Sequence, residues 1–265
     1  MAFLNLNFTS YTLSRDVEVG VVLPSTTIVE VFNANQKHEK VSHAVKEKYP
    51  VMYLLHGFSN NRNSWIMYTN AVRYAEERKI AVVTVSAENK SYSKVGGEDF
   101  KTFIGKELPE FITSNFPISD KKEDTYIAGL SMGGYGSILH ALSAPERFCA
   151  FGSFSAAIDW YPEEVAGLKV EGPVPDEYNL FKLADKLAEE KKAFPKIYMS
   201  CGCKDGLYDI NTKYRDHLKE LGADVTWQEN PQYAHEWPFW DLEVKSFLDW
   251  IPRTDYYSTL PNTGV

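Results

Sequence analysis

A chain of 265 residues is long for one domain but within the range of single α/β domains. It can bury about three-quarters of its unfolded surface, so neither a disulfide framework nor a structural metal is required. A formal net charge of -8, with 28 basic residues in no dense cluster, excludes a phosphate-backbone partner and disfavours strongly acidic substrates. No run approaches the roughly 18 apolar residues of a membrane span, and Met1 to Ser10 lacks a basic-then-apolar leader, so a chain neither membrane-bound nor exported is expected.

Phe3 to Leu13 and Val17 to Leu23 alternate apolar and polar residues, which predicts an antiparallel hairpin at a sheet edge. Pro24 to Lys48 turns polar and charged and reads as an exposed connection. From there the pattern changes. Val51 to Leu55, Ile80 to Val85, Thr125 to Ala128, Phe148 to Phe154 and Ile197 to Ser200 are short apolar runs of the kind buried parallel strands show, and Asp224 to Glu229 reads as a last strand. Helical stretches separate them: Ser64 to Arg78, Asp99 to Asn115, Gly133 to Ala144, Asn211 to Leu221 and Trp240 to Trp250. Pro109 should kink or restart the second of these. Irregular text between Ala156 and Asn179, rich in Pro and Gly, reads as a small lid inserted over the sheet. The expectation is one α/β domain with a mostly parallel, doubly wound sheet.

The sharpest chemical signal is Gly129-Leu130-Ser131-Met132-Gly133, placed after a predicted strand and before a predicted helix. A serine on so tight a turn is held in strained backbone geometry, and the flanking glycines remove side chains that would clash. Its hydroxyl then stands exposed as a candidate nucleophile. An alcohol needs a base to take its proton during attack. Of the six histidines, His140, His217 and His235 follow the serine, as the order nucleophile, acid, histidine of α/β-hydrolases demands. His140 and His217 fall within predicted helices, whereas His235 lies in the loop after the last strand and is the expected base. Asp205, in the turn after Ile197 to Ser200, is the expected carboxylate partner, with Asp209 as the rival in a helix start. Backbone N–H groups of Met132 and Phe58 are the expected oxyanion donors, the latter from the loop His56-Gly57-Phe58, which His56 is expected to shape. Trp65, Trp160, Trp237, Phe239 and Trp240 are candidates to wall an acyl pocket.

Cys149, Cys201 and Cys203 form no paired metal motif and read as reduced cytosolic thiols, so no metal and no cofactor are expected. Leu260-Pro261-Asn262-Thr263-Gly264 matches the pattern that sortases cut, yet no hydrophobic stretch or basic tail follows it. A silent, wall-attached binding protein is the non-enzyme alternative it raises.

Several pieces together resemble the esterase D superfamily, and within it the tributyrin esterases of streptococci and lactic acid bacteria. They are Tyr53-Leu54-Leu55-His56-Gly57, Asn63-Ser64-Trp65, Glu107-Leu108-Pro109, Ile127 to Gly136 around Ser131, Asp205 with Leu207-Tyr208, and His235-Glu236-Trp237 with Trp240. Cys203 and Lys204 depart from the pattern. The resemblance implies an α/β-hydrolase fold and a cytoplasmic carboxylesterase for short acyl esters, acetylated or feruloylated sugars among them, often assembled as a homo-oligomer. It implies Ser131, Asp205 and His235 as the catalytic set, and Tyr208 joins the substrate-binding candidates. Acyl transfer to a sugar or lipid hydroxyl, and S-formylglutathione hydrolysis, are the rival activities that the same residues serve.

Overall fold

The computed structural model describes residues 1–159 and 175–260. Trp160, most of the expected lid and the end of the Leu260 to Gly264 pattern lie outside them.

The opening alternation folds as expected into an edge hairpin. Strands β1 (Ala2–Ser10) and β2 (Arg15–Leu23) pair antiparallel, from Ala2 opposite Leu23 to Ser10 opposite Arg15. The following stretch differs from expectation, because it contains helix α1 (Ile28–Gln36). Thr27 Oγ1 accepts from the Glu30 N–H at 3.2 Å, and the Glu30 carboxylate accepts from the Thr27 N–H at 2.6 Å. This capping box satisfies two helix-terminal donors. None of the helix residues is buried, and Ile28 and Phe32 stay exposed, so the helix stands on its cap rather than on a core face.

Strand β3 (Val51–Leu55) leads to two short helices, α2 (Ser64–Tyr68) and α3 (Ala71–Glu77), where one was expected. After β4 (Ala81–Val85) comes a small hairpin, β5 (Lys94–Val95) and β6 (Glu98–Asp99). The next helix restarts at its proline as the sequence predicts. Helix α4 (Phe100–Thr102) runs into a π turn, Phe103–Glu107, and α5 (Leu108–Asn115) begins with Pro109 in its first turn. Proline has no N–H to give, and its ring crowds the carbonyl one turn back, so the ladder widens there.

Strand β7 (Thr125–Leu130), helix α6 (Met132–Ser143), strand β8 (Ala150–Phe154), helix α7 (Leu180–Glu189), strand β9 (Lys196–Gly202), helix α8 (Tyr208–Glu220), strand β10 (Val225–Asn230) and helix α9 (Trp237–Trp250) complete the alternation. The sheet has eight strands in the order β1-β2-β4-β3-β7-β8-β9-β10. Pairing is antiparallel from β1 through β4 and parallel from β4 onward. Both faces are covered, so alternate residues of one strand enter different cores. Val51, Tyr53 and Leu55 pack with α4 to α8, whereas Met52 and Leu54 pack with α3 and α9. Burial on both sides explains why these strands read as unbroken apolar runs.

Because β3, β7, β8, β9 and β10 are parallel and adjacent, the loops leaving their carboxyl ends lie side by side. In open α/β sheets, that edge is where ligands bind.

The tip of the edge hairpin is held to this body by one buried carboxylate. Glu107 accepts from Ser10 Oγ at 2.8 Å, from the Tyr11 N–H at 2.8 Å and from the Thr12 N–H at 3.0 Å. Glu107→Ala leaves these donors without their acceptor and is expected to destabilise folding by about 2–4 kcal/mol. Phe32→Ser on exposed α1 is expected to stay within about 0.5 kcal/mol of the parent. Urea unfolding of the two variants beside the parent checks both.

Candidate active site

The turn between β7 and α6 places Ser131 at φ 53° and ψ -116°, a backbone conformation that costs a non-glycine residue on the order of 1–3 kcal/mol. Neighbouring backbone holds it there. The Ser131 N–H donates to the Phe154 carbonyl at 2.9 Å, and the Ser131 carbonyl accepts from the Ala157 N–H at 3.1 Å. A Cβ on Gly129 would overlap the Gly133 carbonyl, and one on Gly133 would overlap the Leu55 carbonyl. The two glycines are therefore what lets α6 start directly against the ends of β7 and β3. Met132 is the first residue of α6, so its N–H is among those without an intrahelical acceptor.

Asp205 sits in the turn after β9 with its side chain almost fully buried. One carboxylate oxygen accepts from the Leu207 N–H at 2.9 Å and the other from His235 Nδ1 at 2.8 Å. Burial alone would raise its pKa, but the bonds from His235 and Leu207 outweigh that and hold the carboxyl below the usual carboxylate range. His235 is about one-third exposed and stands edge-on to the Trp240 ring, with centroids 4.9 Å apart. Its loop is fixed at both ends: the Lys204 N–H donates to the Tyr233 carbonyl at 3.0 Å, and the Ala234 N–H donates to the Glu236 carboxylate at 3.0 Å. The rival Asp209 is exposed in the first turn of α8.

Ser131 and His235 line one open cleft of about 620 Å³, together with Gly57, Phe58, Asn60, Leu130, Glu236, Trp237, Pro238 and Trp240. Three residues at different places in the chain, Ser131, Asp205 and His235, thus meet at one rim. Phe58 and Met132 reach the same rim from β3 and α6. Trp237 forms part of the aromatic wall. Trp65 does not: it is buried behind Trp237, ring to ring at 5.6 Å, and gives its indole N–H to the Leu55 carbonyl. Phe239 is likewise core. Tyr208 begins α8 beside the Asp205 turn, with its hydroxyl on Glu229 at 2.7 Å, outside the residues that line the cleft. Trp160 lies outside the described residues.

His56 shapes the loop that carries Phe58 through its ring. Nε2 accepts from the Ala87 N–H at 2.9 Å, which puts the proton on Nδ1, and Nδ1–H donates to the Gly57 carbonyl at 2.7 Å. That carbonyl belongs to the same planar peptide as the Phe58 N–H, so gripping one end fixes where the other points. Tyr92 links this ring to a second one: its hydroxyl donates to the His56 carbonyl at 2.9 Å, and its own carbonyl lies 3.0 Å from His140 Nε2. Burial pushes the pKa of both His56 and His140 down to about 4.

A mostly parallel sheet, an antiparallel entry hairpin, helices on both faces and a strained serine at the central strand-to-helix turn define an α/β-hydrolase fold. Residues 10–241 match the family described as "Putative esterase", and the chain belongs to it. It is 31% identical to an acetyl esterase of Caldicellulosiruptor saccharolyticus, over 96% of this chain and 99% of that protein. A substrate-bound, fluorophosphonate-binding serine hydrolase F of Staphylococcus aureus superposes with a TM-score of 0.82 at 27% identity, over 94% of this chain and 98% of that one. The S-formylglutathione hydrolase of Staphylococcus aureus, as apoenzyme, gives 0.79 at 27% identity over the same shares. With this family and these neighbours, the chain is a carboxylic ester hydrolase.

The two buried neutral histidines set a pH dependence. Unfolded, each takes up a proton near pH 6.5, whereas folded each does so only near pH 4. Between these values the unfolded state binds more protons, so stability falls as pH drops from about 6.5 towards 4, by up to about 1.4 kcal/mol per pH unit for each ring. His140→Gln keeps an N–H for the Tyr92 carbonyl but cannot titrate. Urea unfolding at pH 7, 6 and 5 is expected to show a shallower slope in this variant, by about one proton.

Proposed function

We propose that this esterase hydrolyses short-chain acyl esters through a covalent acyl-enzyme on Ser131, with His235 as general base and acid and Asp205 as its orienting carboxylate. One observation carries the reading: the 2.8 Å bond between Asp205 and His235 Nδ1 leaves Nε2 as the free nitrogen, in the cleft that the strained Ser131 also lines. With Nδ1–H committed to the carboxylate, Nε2 carries a lone pair and can take the hydroxyl proton as oxygen attacks the carbonyl. The imidazolium so formed faces the Asp205 anion. N–H groups of Met132 and Phe58 receive the negative oxygen of the tetrahedral intermediate, His235 returns its proton to the leaving alcohol, and water repeats the sequence to free the acid.

Neutral esters of acetyl to butyryl acids, including acetylated sugars, suit a cleft with an aromatic wall of Phe58, Trp237 and Trp240 in a chain of net charge -8. The acetyl esterase of Caldicellulosiruptor saccharolyticus supports that substrate class, and a xylanase/feruloyl esterase of Xylanibacter ruminicola, 28% identical over 76% of this chain and 26% of that longer protein, adds feruloylated sugars. Tributyrin, a cytoplasmic location and a homo-oligomeric assembly belong to the same proposal. The S-formylglutathione hydrolase neighbour favours a second reading, thioester hydrolysis by the same three residues. Glu236 in the cleft and the acidic chain weigh against the anionic glutathione.

Ser131→Ala is expected to lower kcat on p-nitrophenyl butyrate by about 10⁴-fold or more and to abolish labelling by a fluorophosphonate. Asp205→Asn, which presents the wrong hydrogen-bonding partner to Nδ1, is expected to cost about 10³-fold to 10⁴-fold. Full turnover in Ser131→Ala would end the proposal. A kcat/KM for S-formylglutathione above that for the short acyl esters would replace it by the second reading.

A further inference from the structure

The turn that leaves β8, Phe154 to Ala157, is bonded to the β7 turn, to β9, to α8 and to α9 without carrying any of the three residues named above. Its backbone holds both ends of Ser131, through the Phe154 carbonyl and the Ala157 N–H. Its middle is locked to α8, where the buried Asn211 side chain accepts from the Ala156 N–H at 3.1 Å and donates to the Ala156 carbonyl at 2.8 Å. The Ser155 N–H donates to the Ser200 carbonyl at 2.8 Å, which ties the turn to β9 just before Asp205. Ser155 itself has φ 48° and no exposed surface. A left-handed residue with a fully buried hydroxyl is a costly choice for a mere connection.

That hydroxyl sits among three side chains. The Trp240 indole N–H donates to Ser155 Oγ at 3.3 Å, and the Cys201 thiol donates to it at 3.9 Å. A hydroxyl oxygen has two lone pairs and one proton. With both lone pairs engaged, the proton remains available, and Ser155 is among the groups that lower the pKa of Asp205, after His235 and Leu207. Trp240 is also the ring that packs edge-on against His235. One buried oxygen therefore holds the ring that packs against the imidazole and also acts on the carboxylate that the imidazole is bonded to.

Resting on the triad reading, we infer that Ser155 is a positioning residue of the active site, which through its hydroxyl fixes the Asp205 carboxylate and the Trp240 ring, and so holds His235 in register with Ser131. It touches no substrate. Its effect on turnover passes through Asp205.

Ser155→Gly removes the hydroxyl while suiting the left-handed backbone, and Ser155→Ala removes it with the backbone strain retained. Loss of a hydrogen bond to a charged group corresponds to about a 10-fold fall in kcat, expected in both variants with KM and circular dichroism unchanged and with fluorophosphonate labelling slowed in proportion. Introduced into Asp205→Asn, Ser155→Gly is expected to add no more than about a two-fold further loss, because the two residues act as a unit. Parent-like kcat in Ser155→Gly overturns the inference, as do a defect confined to Ser155→Ala and a full 10-fold further loss in the Asp205→Asn background. Failure of the triad reading shows elsewhere, as a parent enzyme that neither turns over esters nor reacts with the fluorophosphonate.

Discussion

The strained backbone of Ser131 is the constraint around which the rim is built. At φ 53° the residue sits outside the conformations an L side chain favours, and nothing in its own chemistry compensates. The compensation is distributed. Two hydrogen bonds from the β8 turn clamp its peptide groups, and two glycines let β7, β3 and α6 approach within backbone contact. Relaxing any of these would let the serine fall back towards an ordinary helix start, with its hydroxyl turned away from the cleft. Strain of this sort persists only where packing over-determines it. The fully buried strands on both sides of β7 supply that packing.

A second consequence follows from strand order. Because β7, β8, β9 and β10 are neighbours in the sheet, their carboxyl-end turns are joined in succession by backbone hydrogen bonds. The β7 turn is held by the β8 turn, the β8 turn by β9 and α8, and the β9 turn by the loop after β10. Ser131, Asp205 and His235 thus sit on turns joined by hydrogen bonds rather than on independent loops. A rim of this kind keeps Asp205 and His235 at bonding distance although 30 residues separate them.

Much of this was legible in the sequence, for reasons that differ by element. Strands buried on both faces announce themselves as short apolar runs, and the serine turn combines a local motif with the strand and helix that give it meaning. The meeting of Asp205 and His235 was legible because each follows a late strand and so falls at the same edge of the sheet. Helix α1 lacked a buried face, and only its capping box at Thr27 and Glu30 signalled it. Trp65 was misplaced because an aromatic beside a cleft loop reads the same whether its ring faces the cleft or backs another tryptophan. Ser155 carried no signal at all, since its importance comes from long-range neighbours, Trp240, Cys201 and Asp205, that no local pattern connects.

The same physics distinguishes the two histidines that stand at this edge. His56 has both ring nitrogens committed to backbone: Nδ1 donates to a carbonyl and Nε2 accepts from an N–H. Adding a proton would place two positive N–H groups where one acceptor exists, in a buried setting that disfavours charge, so this ring stays neutral and serves as a fixed strut. His235 donates from Nδ1 to a carboxylate and leaves Nε2 in the cleft. A proton arriving there meets an anion across the ring and solvent at its edge. Chain order makes His235 the expected base, and of these two rings only His235 keeps one nitrogen off the backbone and in the cleft, with the other on a carboxylate.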